Sequence, residues 1–258
     1  MASSSNPANP ANPANPSTTS TSPITTTLLP SYKTTFLNSC LAESVLTFGS
    51  FTLKSGRKSP YFFHAEHFHR ADLLRILSTA YAQSLLEFLS QHPLEIDVLF
   101  GPAYGGIVPA SSTMERLAEF DPGHFARLSY SSARKEFKDH GEKGVILGCP
   151  LKGKKVLVLD DVITAGTAVG EAVDIIRKEG GVVVGILVAM DRMETMSGGG
   201  GEKEGRRTSA IEEVRRKYGI PVISIVTLDD LIGHLSQSES EENMRALEEY
   251  KRKYRADR

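Results

Sequence analysis

Apolar residues along the chain fall into two kinds of run. Tyr32, Phe36, Leu37, Cys40, Leu41 and Val45 recur at the three-to-four spacing of a core-facing helix, as do Leu73, Leu74, Leu77, Tyr81, Leu85 and Phe88 within Arg70 to Leu89. Between them Leu46 to Leu53 alternates loosely, Ser55-Gly56 supplies a turn, and Tyr61-Phe62-Phe63 resumes extended chain, which predicts a hairpin. From Ile96 onward the pattern changes to short, continuous apolar stretches: Ile96 to Phe100, the run KKVLVLDD ending at Asp161, Val182 to Met190, and Pro221 to Val226. Continuous rather than alternating strands are those covered on both faces. The first two each lead into a small-residue turn and a helical pattern, the second helix running from Val169 to Lys178. Strands alternating with helices predict an α/β fold with a mainly parallel central sheet flanked by helices.

The ends of the chain read differently. Residues 1–29 hold an Asn-Pro-Ala repeat and a Ser/Thr tract, with too little apolar surface to offset the entropy of ordering, so a low-complexity tail is expected before a single domain over residues 30–258. Between Asp191 and Thr208 the sequence METMSGGGGEKEGRR, Met193 to Arg207, rich in Gly and charge, reads as a long exposed loop, and Glu239 to Arg258 as a solvated helix; little chemistry is expected from either. Thirty Lys+Arg against 31 Asp+Glu leave a formal charge of -1, which removes any global electrostatic argument for nucleic acid or an anionic membrane. No signal-peptide pattern and no apolar stretch of membrane-spanning length is present, and the two cysteines, Cys40 and Cys149, have neither zinc nor redox spacing. A soluble protein of a reducing, cytoplasmic compartment is expected, with no nucleic-acid or membrane partner.

Candidate chemistry concentrates where the greasy run VLVLDD stops. Asp160 and Asp161 end a predicted strand, and Thr164-Ala165-Gly166-Thr167-Ala168 leads into a helix. Small residues at a helix N-terminus let a phosphate approach unpaired N–H donors, with threonine hydroxyls to add. Carboxylates repel that phosphate and need sugar hydroxyls or a cation instead, so a sugar phosphate with Mg²⁺ satisfies the whole motif. An ordinary strand-loop-helix with a capping threonine is the plain alternative. The stretch Gly148 to Lys155 approaches a P-loop but has Lys155 where Ser or Thr is needed and precedes its strand; no dinucleotide fingerprint follows any strand. Arg134, Lys135, Lys138, His140 and Lys143 crowd a polar segment that reads either as a solvated face or as a mobile lid over a polyanion. His64, His67 and His69 form an H-x-x-H-x-H run without nearby Cys, read as incidental, so no metal held by the protein itself is expected.

VLVLDDVITAGTA resembles the phosphoribosyl-diphosphate (PRPP) signature of type I phosphoribosyltransferases, and FTLKSGRKSPYFF, FGPAYGGI, RKEFKDHGE and MDRME are similar to orotate phosphoribosyltransferase of the fungal type, from about Pro30 to about Tyr250. The resemblance implies the type I phosphoribosyltransferase fold with a small N-terminal hood, and transfer of phosphoribosyl from PRPP to orotate in pyrimidine biosynthesis. It implies that Asp160 and Asp161 hold the ribose hydroxyls, that Thr164, Ala165, Gly166, Thr167 and Ala168 wrap the 5-phosphate, and that Tyr104 belongs to the PRPP site. Arg134, Lys135, Lys138 and His140 would lie on a loop closing over the neighbouring site of a homodimer, with Lys138 and His140 for charge stabilisation or proton delivery. Lys54 would reach orotate and the diphosphate, Phe62 and Phe63 would flank the base, Thr164 would touch it, and Arg192 would pair with its carboxylate. Mg²⁺ would arrive mainly through PRPP. The chain departs from the family at Gly105, where a lysine is expected, and at His64, where an asparagine is. A PRPP or nucleotide sensor without turnover, and a transferase for another base, remain the alternative readings.

Overall fold

A computed structural model describes Met1 and residues 29–53, 55–138, 144–163, 167–195, 202–203, 206–236 and 239–257. Helix α1 (Ser31–Ala42) leads into the hairpin β1 (Leu46–Thr52) and β2 (Lys58–Phe63), a short 3-10 turn at Ala65–His67, and the long helix α2 (Ala71–Gln91). There follow β3 (Val98–Gly101), α3 (Ile107–Phe120), α4 (Pro122–Phe125), β4 (Ser129–Lys138), β5 (Gly144–Gly148), β6 (Lys155–Val162), α5 (Thr167–Lys178) and β7 (Val182–Asp191). A two-residue pair, β8 (Glu202–Lys203) and β9 (Arg206–Arg207), precedes α6 (Ala210–Tyr218), β10 (Val222–Thr227), α7 (Leu228–Leu235) and α8 (Glu241–Tyr254).

The continuous apolar runs become the centre of a six-stranded sheet in the order β10-β7-β6-β3-β4-β5, parallel except for β5. Successive residues of β6 explain why it is greasy throughout: Leu157 and Leu159 enter an apolar cluster with α1, α2, α3, α7 and α8, while Val156 and Val158 enter another with α5 and α6. Both faces are therefore dry, as the absence of alternation requires. The hairpin β1–β2 stands apart as a two-stranded sheet, joined to the first cluster through Leu46, Tyr61 and Phe63. It forms the small hood. Leu29 already packs against the core, one residue ahead of the expected boundary.

Three sequence expectations change. β4 and β5 are strands that the polarity of Ser129 to Lys138 concealed; Ser131 and Ser132 are buried, small enough to sit inside the sheet. The C-terminal helix is not merely solvated, because Leu247 and Tyr250 are buried and Tyr250 meets Tyr61 of β2 edge-on at 6.2 Å. The stretch Met193 to Arg207 opens with three half-buried residues, Met193, Glu194 and Thr195, and contains the β8–β9 pair, so it is not a plain exposed loop. Cys40 and Cys149 are both free thiols, and no helix among the described residues is long and apolar enough to cross a membrane.

Candidate functional site

The strand order fixes where a ligand can sit. From β3 the chain moves outward to β4, then returns to place β6 on the other side of β3. At such a reversal the two loops leaving the strand ends diverge and open a crevice beyond the carboxyl edge. One of those loops is Pro102 to Gly106; the other begins at Asp160 and Asp161.

The first loop is drawn tightly over the second strand. A Cβ on Gly101 would lie 2.1 Å from the carbonyl oxygen of Gly106, and one on Gly106 would lie 2.5 Å from that of Leu159, so neither position admits a side chain. Gly105 differs: a Cβ there would lie 3.9 Å from both Asp160 Oδ1 and Asp161 Oδ2, ordinary contact distance. The turn thus sits directly on the acid pair, with the Tyr104 side chain exposed beside it. The Ala103–Tyr104 peptide is cis.

The acids are held by the backbone. Asp160 Oδ1 accepts from the Asp161 N–H at 3.0 Å, and Asp161 Oδ1 from the Val162 N–H at 2.6 Å. The buried Tyr81 hydroxyl donates to the Asp160 carbonyl at 2.8 Å, tying α2 to the tip of β6. Asp160 is buried, and that burial, reinforced by the charge of Asp161, pushes its carboxyl up to about 7. Carboxylate oxygens accept hydrogen bonds and prefer hard cations, which is the chemistry by which such a pair could hold sugar hydroxyls or an ion such as Mg²⁺. Helix α5 starts just beyond, anchored by buried Val169, Val173 and Ile176, with Ala168 exposed at its first turn. Thr164, Ala165 and Gly166 lie outside the described residues, as do Lys54 and His140; of Thr167, Lys135 and Lys138 the backbone alone is described.

The basic segment is a strand before it is a loop. β4 pairs with β3 only as far as Ser132 opposite Gly101, then continues to Lys138 paired with β5 alone. Residues Ala133 to Lys138 therefore overhang the carboxyl edge of the sheet as a two-stranded arm with β5.

Arg192 follows β7, the strand beside β6, and is buried. Its Nε donates to Glu194 Oε1 at 2.7 Å and its Nη2 to Ser59 Oγ at 3.0 Å, and its guanidinium lies 4.4 Å from the Tyr61 ring centre. Burial works against its charge, but Tyr61, Glu194 and Tyr250 outweigh it and keep the cation firm. Arg57 reaches the same place, donating to the Thr195 carbonyl at 2.6 Å and lying 4.8 Å from the Tyr254 ring centre.

Strand alternation separates the two phenylalanines expected to flank a base. Ser59, Tyr61 and Phe63 are turned inward, and the Phe63 ring packs 6.4 Å from Phe36 and 6.2 Å from Phe68. Phe63 is thus a core residue whose ring flanks nothing outside. Phe62 lies on the other face, half-buried, 5.5 Å from Phe51 and 4.6 Å from His64. Sequence reasoning missed Tyr81, read only as a helix-face residue, and the Ser59, Tyr61 and Glu194 partners of Arg192. The acid two places after an arginine in MDRME was the available signal for Glu194.

Comparison with known proteins accords with this arrangement. Residues 73–197 match the phosphoribosyl transferase domain. The chain is 50% identical to the orotate phosphoribosyltransferase of Neurospora crassa over 88% of its own length and 98% of the relative's, and 44% identical to orotate phosphoribosyltransferase 2 of Saccharomyces cerevisiae over 89% and 97%. Among solved structures, the orotate phosphoribosyltransferase of Francisella tularensis superposes with a TM-score of 0.70 at 32% identity, covering 86% of this chain and 99% of that one. By that identity over almost the whole of its relatives, the chain belongs to the orotate phosphoribosyltransferase family of pentosyltransferases.

Proposed function

We propose that the chain transfers the phosphoribosyl group of PRPP to the N1 of orotate, giving orotidine 5'-monophosphate and diphosphate, with the acid pair as the ribose anchor. The observation that carries this reading is the placement of Asp160 and Asp161 at the strand-order reversal, beneath the Gly105 turn and ahead of the α5 N-terminus. In this assignment Asp160 and Asp161 accept hydrogen bonds from the ribose hydroxyls, and residues 164–168 bring N–H donors to the 5-phosphate. Tyr104 borders the diphosphate side, and Arg192 orients the orotate carboxylate from its seat between Glu194 and Ser59. Phe62 lends its ring to the base, Phe63 supports the strand from the core, and Lys54 acts from the hairpin turn.

As the N1–C1 bond forms, the C1–O bond to diphosphate breaks and the leaving group departs with the electron pair. Positive charge builds on the ribose and negative charge on the diphosphate, so Arg134, Lys135, Lys138 and His140 stabilise the transition state. Mg²⁺ brought by PRPP, near Asp160 and Asp161, would neutralise negative charge developing on the leaving group. Closure of the arm keeps water from the activated sugar. The reading includes a cytoplasmic homodimer in which each arm serves the neighbouring site.

The test is loss of orotate absorbance on adding PRPP and Mg²⁺ to the purified protein, with uracil and hypoxanthine in parallel. Orotate-specific consumption is expected. Silence with all three bases from a folded protein that binds PRPP would establish a sensor, and consumption of another base would reassign the substrate. For the shared site, mixing Lys138→Ala and Asp161→Asn proteins, each inactive alone, should restore activity after verified subunit exchange; no recovery would rule the arrangement out.

A further inference from the structure

Glu194, which holds the guanidinium of Arg192, is itself held by a part of the chain that the proposed reaction does not use. Helix α8 ends at Arg255, where the backbone becomes extended (φ -61°, ψ 135°) and lies antiparallel to the segment after β7, with Arg255 opposite Glu194. Two backbone hydrogen bonds flank that pair: the Thr195 N–H donates to the Tyr254 carbonyl at 2.8 Å, and the Ala256 N–H to the Met193 carbonyl at 3.0 Å. Glu194 is thus pinned on both sides, and its carboxylate accepts from Arg192 Nε at 2.7 Å.

The segment needs pinning because it is bent. Met193, between Arg192 and Glu194, sits in left-handed backbone at φ 55°, a conformation disfavoured for a residue with a side chain. Asp191 Oδ1 accepts from the Met193 N–H at 2.8 Å and starts the bend, as an aspartate does by bonding backbone two residues on. Such a conformation persists only where its surroundings fix it, and here they do so from two directions. From the hairpin turn, Arg57 donates to the Thr195 carbonyl at 2.6 Å and to Thr195 Oγ1 at 3.1 Å. From the other direction, Arg255 sets its two terminal nitrogens on Oδ1 and Oδ2 of Asp229 at 3.1 and 2.8 Å, while Lys251 meets the same Oδ1 at 2.7 Å. Asp229 lies in the first turn of α7. A two-point fork fixes direction as well as distance, so Arg255 secures residues 254–256 to α7 in one register.

We propose that Tyr254 to Ala256 form a strap, fastened by Arg255 to Asp229, that positions Arg192 through Glu194 and thereby sets the affinity for the anionic base. The inference rests on the reading of Arg192 as the partner of the orotate carboxylate; Arg255 and Asp229 are positioning residues that act on the base only through Glu194 and Arg192. The strap bears on the base and not on the sugar phosphate, because the acid pair at the tip of β6 is held by its own backbone and by Tyr81. Loosening the strap leaves Arg192 cationic but no longer aimed, so orotate binds more weakly while the saturated enzyme reacts as before.

Steady-state kinetics with each substrate varied in turn, paired with hydrogen exchange at Thr195, tests the strap. Arg255→Ala is expected to raise KM for orotate about tenfold, to leave KM for PRPP and kcat within about twofold of the parent, and to speed exchange of the Thr195 amide. Arg255→Lys, which keeps the charge but not the fork, should fall between the two. Asp229→Asn should raise KM for orotate in the same way, and it carries the test if Arg255→Ala does not fold. Lys33→Ala removes an ion pair to Asp230 on the same helix without touching the strap, and it should leave all three constants unchanged. Faster Thr195 exchange with KM for orotate unmoved, exchange unmoved in both strap variants, or an equal rise in KM for both substrates would each overturn the strap while leaving the proposed reaction in place. A parent chain that consumes no orotate would overturn the reading of Arg192 and the strap with it.

Discussion

The tip of β6 and the residues just past β7 are neighbours in the sheet, both buried and both charged, yet they solve the problem of burial in opposite ways. At β6 two carboxylates stand together, and Asp160 responds by holding a proton up to about pH 7. Past β7 the buried charge is matched within the protein: Arg192 has Glu194, Ser59 and the face of Tyr61 around it. Burying a charge costs heavily unless it is paired, so Asp160 meets its burial by keeping a proton whereas Arg192, matched by its neighbours, keeps its charge. The difference teaches that neighbouring strand ends can meet the same burial by protonation or by pairing.

Removing the acids should break the first half of that contrast most severely. Asp160→Asn combined with Asp161→Asn is expected to cut orotate turnover by about a hundredfold or more, the scale of losing groups aimed at a charged transition state, in the orotate absorbance assay. Stability should move the other way. When folded, Asp160 keeps its proton to about pH 7, against about 4 when unfolded, so the native state binds more protons and stability falls as pH rises between those values. Asp160→Asn should therefore flatten the fall of the thermal midpoint over that window, worth on the order of a few kcal/mol. An unchanged pH profile would mean the pair is not strained.

The hood supplies the next contrast. Phe63→Ala should destabilise by about 3–5 kcal/mol in chemical denaturation, as for any large aromatic lost from a core. Phe62→Ala should leave stability nearly level and raise the KM for orotate. Equal stability losses would show that the two faces of β2 are not distinct.

Smaller effects sharpen the second region. Glu194→Gln keeps a hydrogen bond to Arg192 but removes the charge; a rise of roughly tenfold in KM for orotate with kcat little altered is expected if Arg192 is thereby loosened. Last comes Gly105→Lys, which has room for its Cβ and would bring a cation onto the acid pair. PRPP binding should tighten by about tenfold and the pH dependence of stability should weaken together. Tightening without the pH change would place the added ammonium away from Asp160.

The legibility of these features in the sequence was uneven. Strands β3, β6, β7 and β10 were visible because dryness on both faces writes continuous apolar runs. β4 was not, since Ser131 and Ser132 fill sheet positions by being small rather than apolar, and Arg134 to Lys138 look like a solvated segment. The acid pair and its loop were legible from their address at a strand end, but the pressure on Asp160 was not, because it depends on the turn laid over it from β3. Arg192 could be named only through its motif; an arginine's burial is decided by partners far along the chain. His64 and His67 were visible as a run, whereas the stacking of their rings depends on Ser44 and Thr47, which turn them.

The nest around Arg192 has one more consequence. Its members come from remote parts of the chain: Ser59 is 133 positions from Arg192, and Arg57 is 138 from Thr195, with Tyr250 of α8 closing the same space. Contacts of such separation form late, and a separate two-stranded hairpin and a terminal helix open before a strand in the middle of the sheet. Local unfolding that released α8 or the hairpin would dissolve the seat of Arg192 while β6 and its acids, locked in the middle of the sheet, persisted. In a hydrogen-exchange experiment the amides of β2 and α8 should open together and earlier than those of β6, so that the acid pair keeps its place after the seat of Arg192 has come apart.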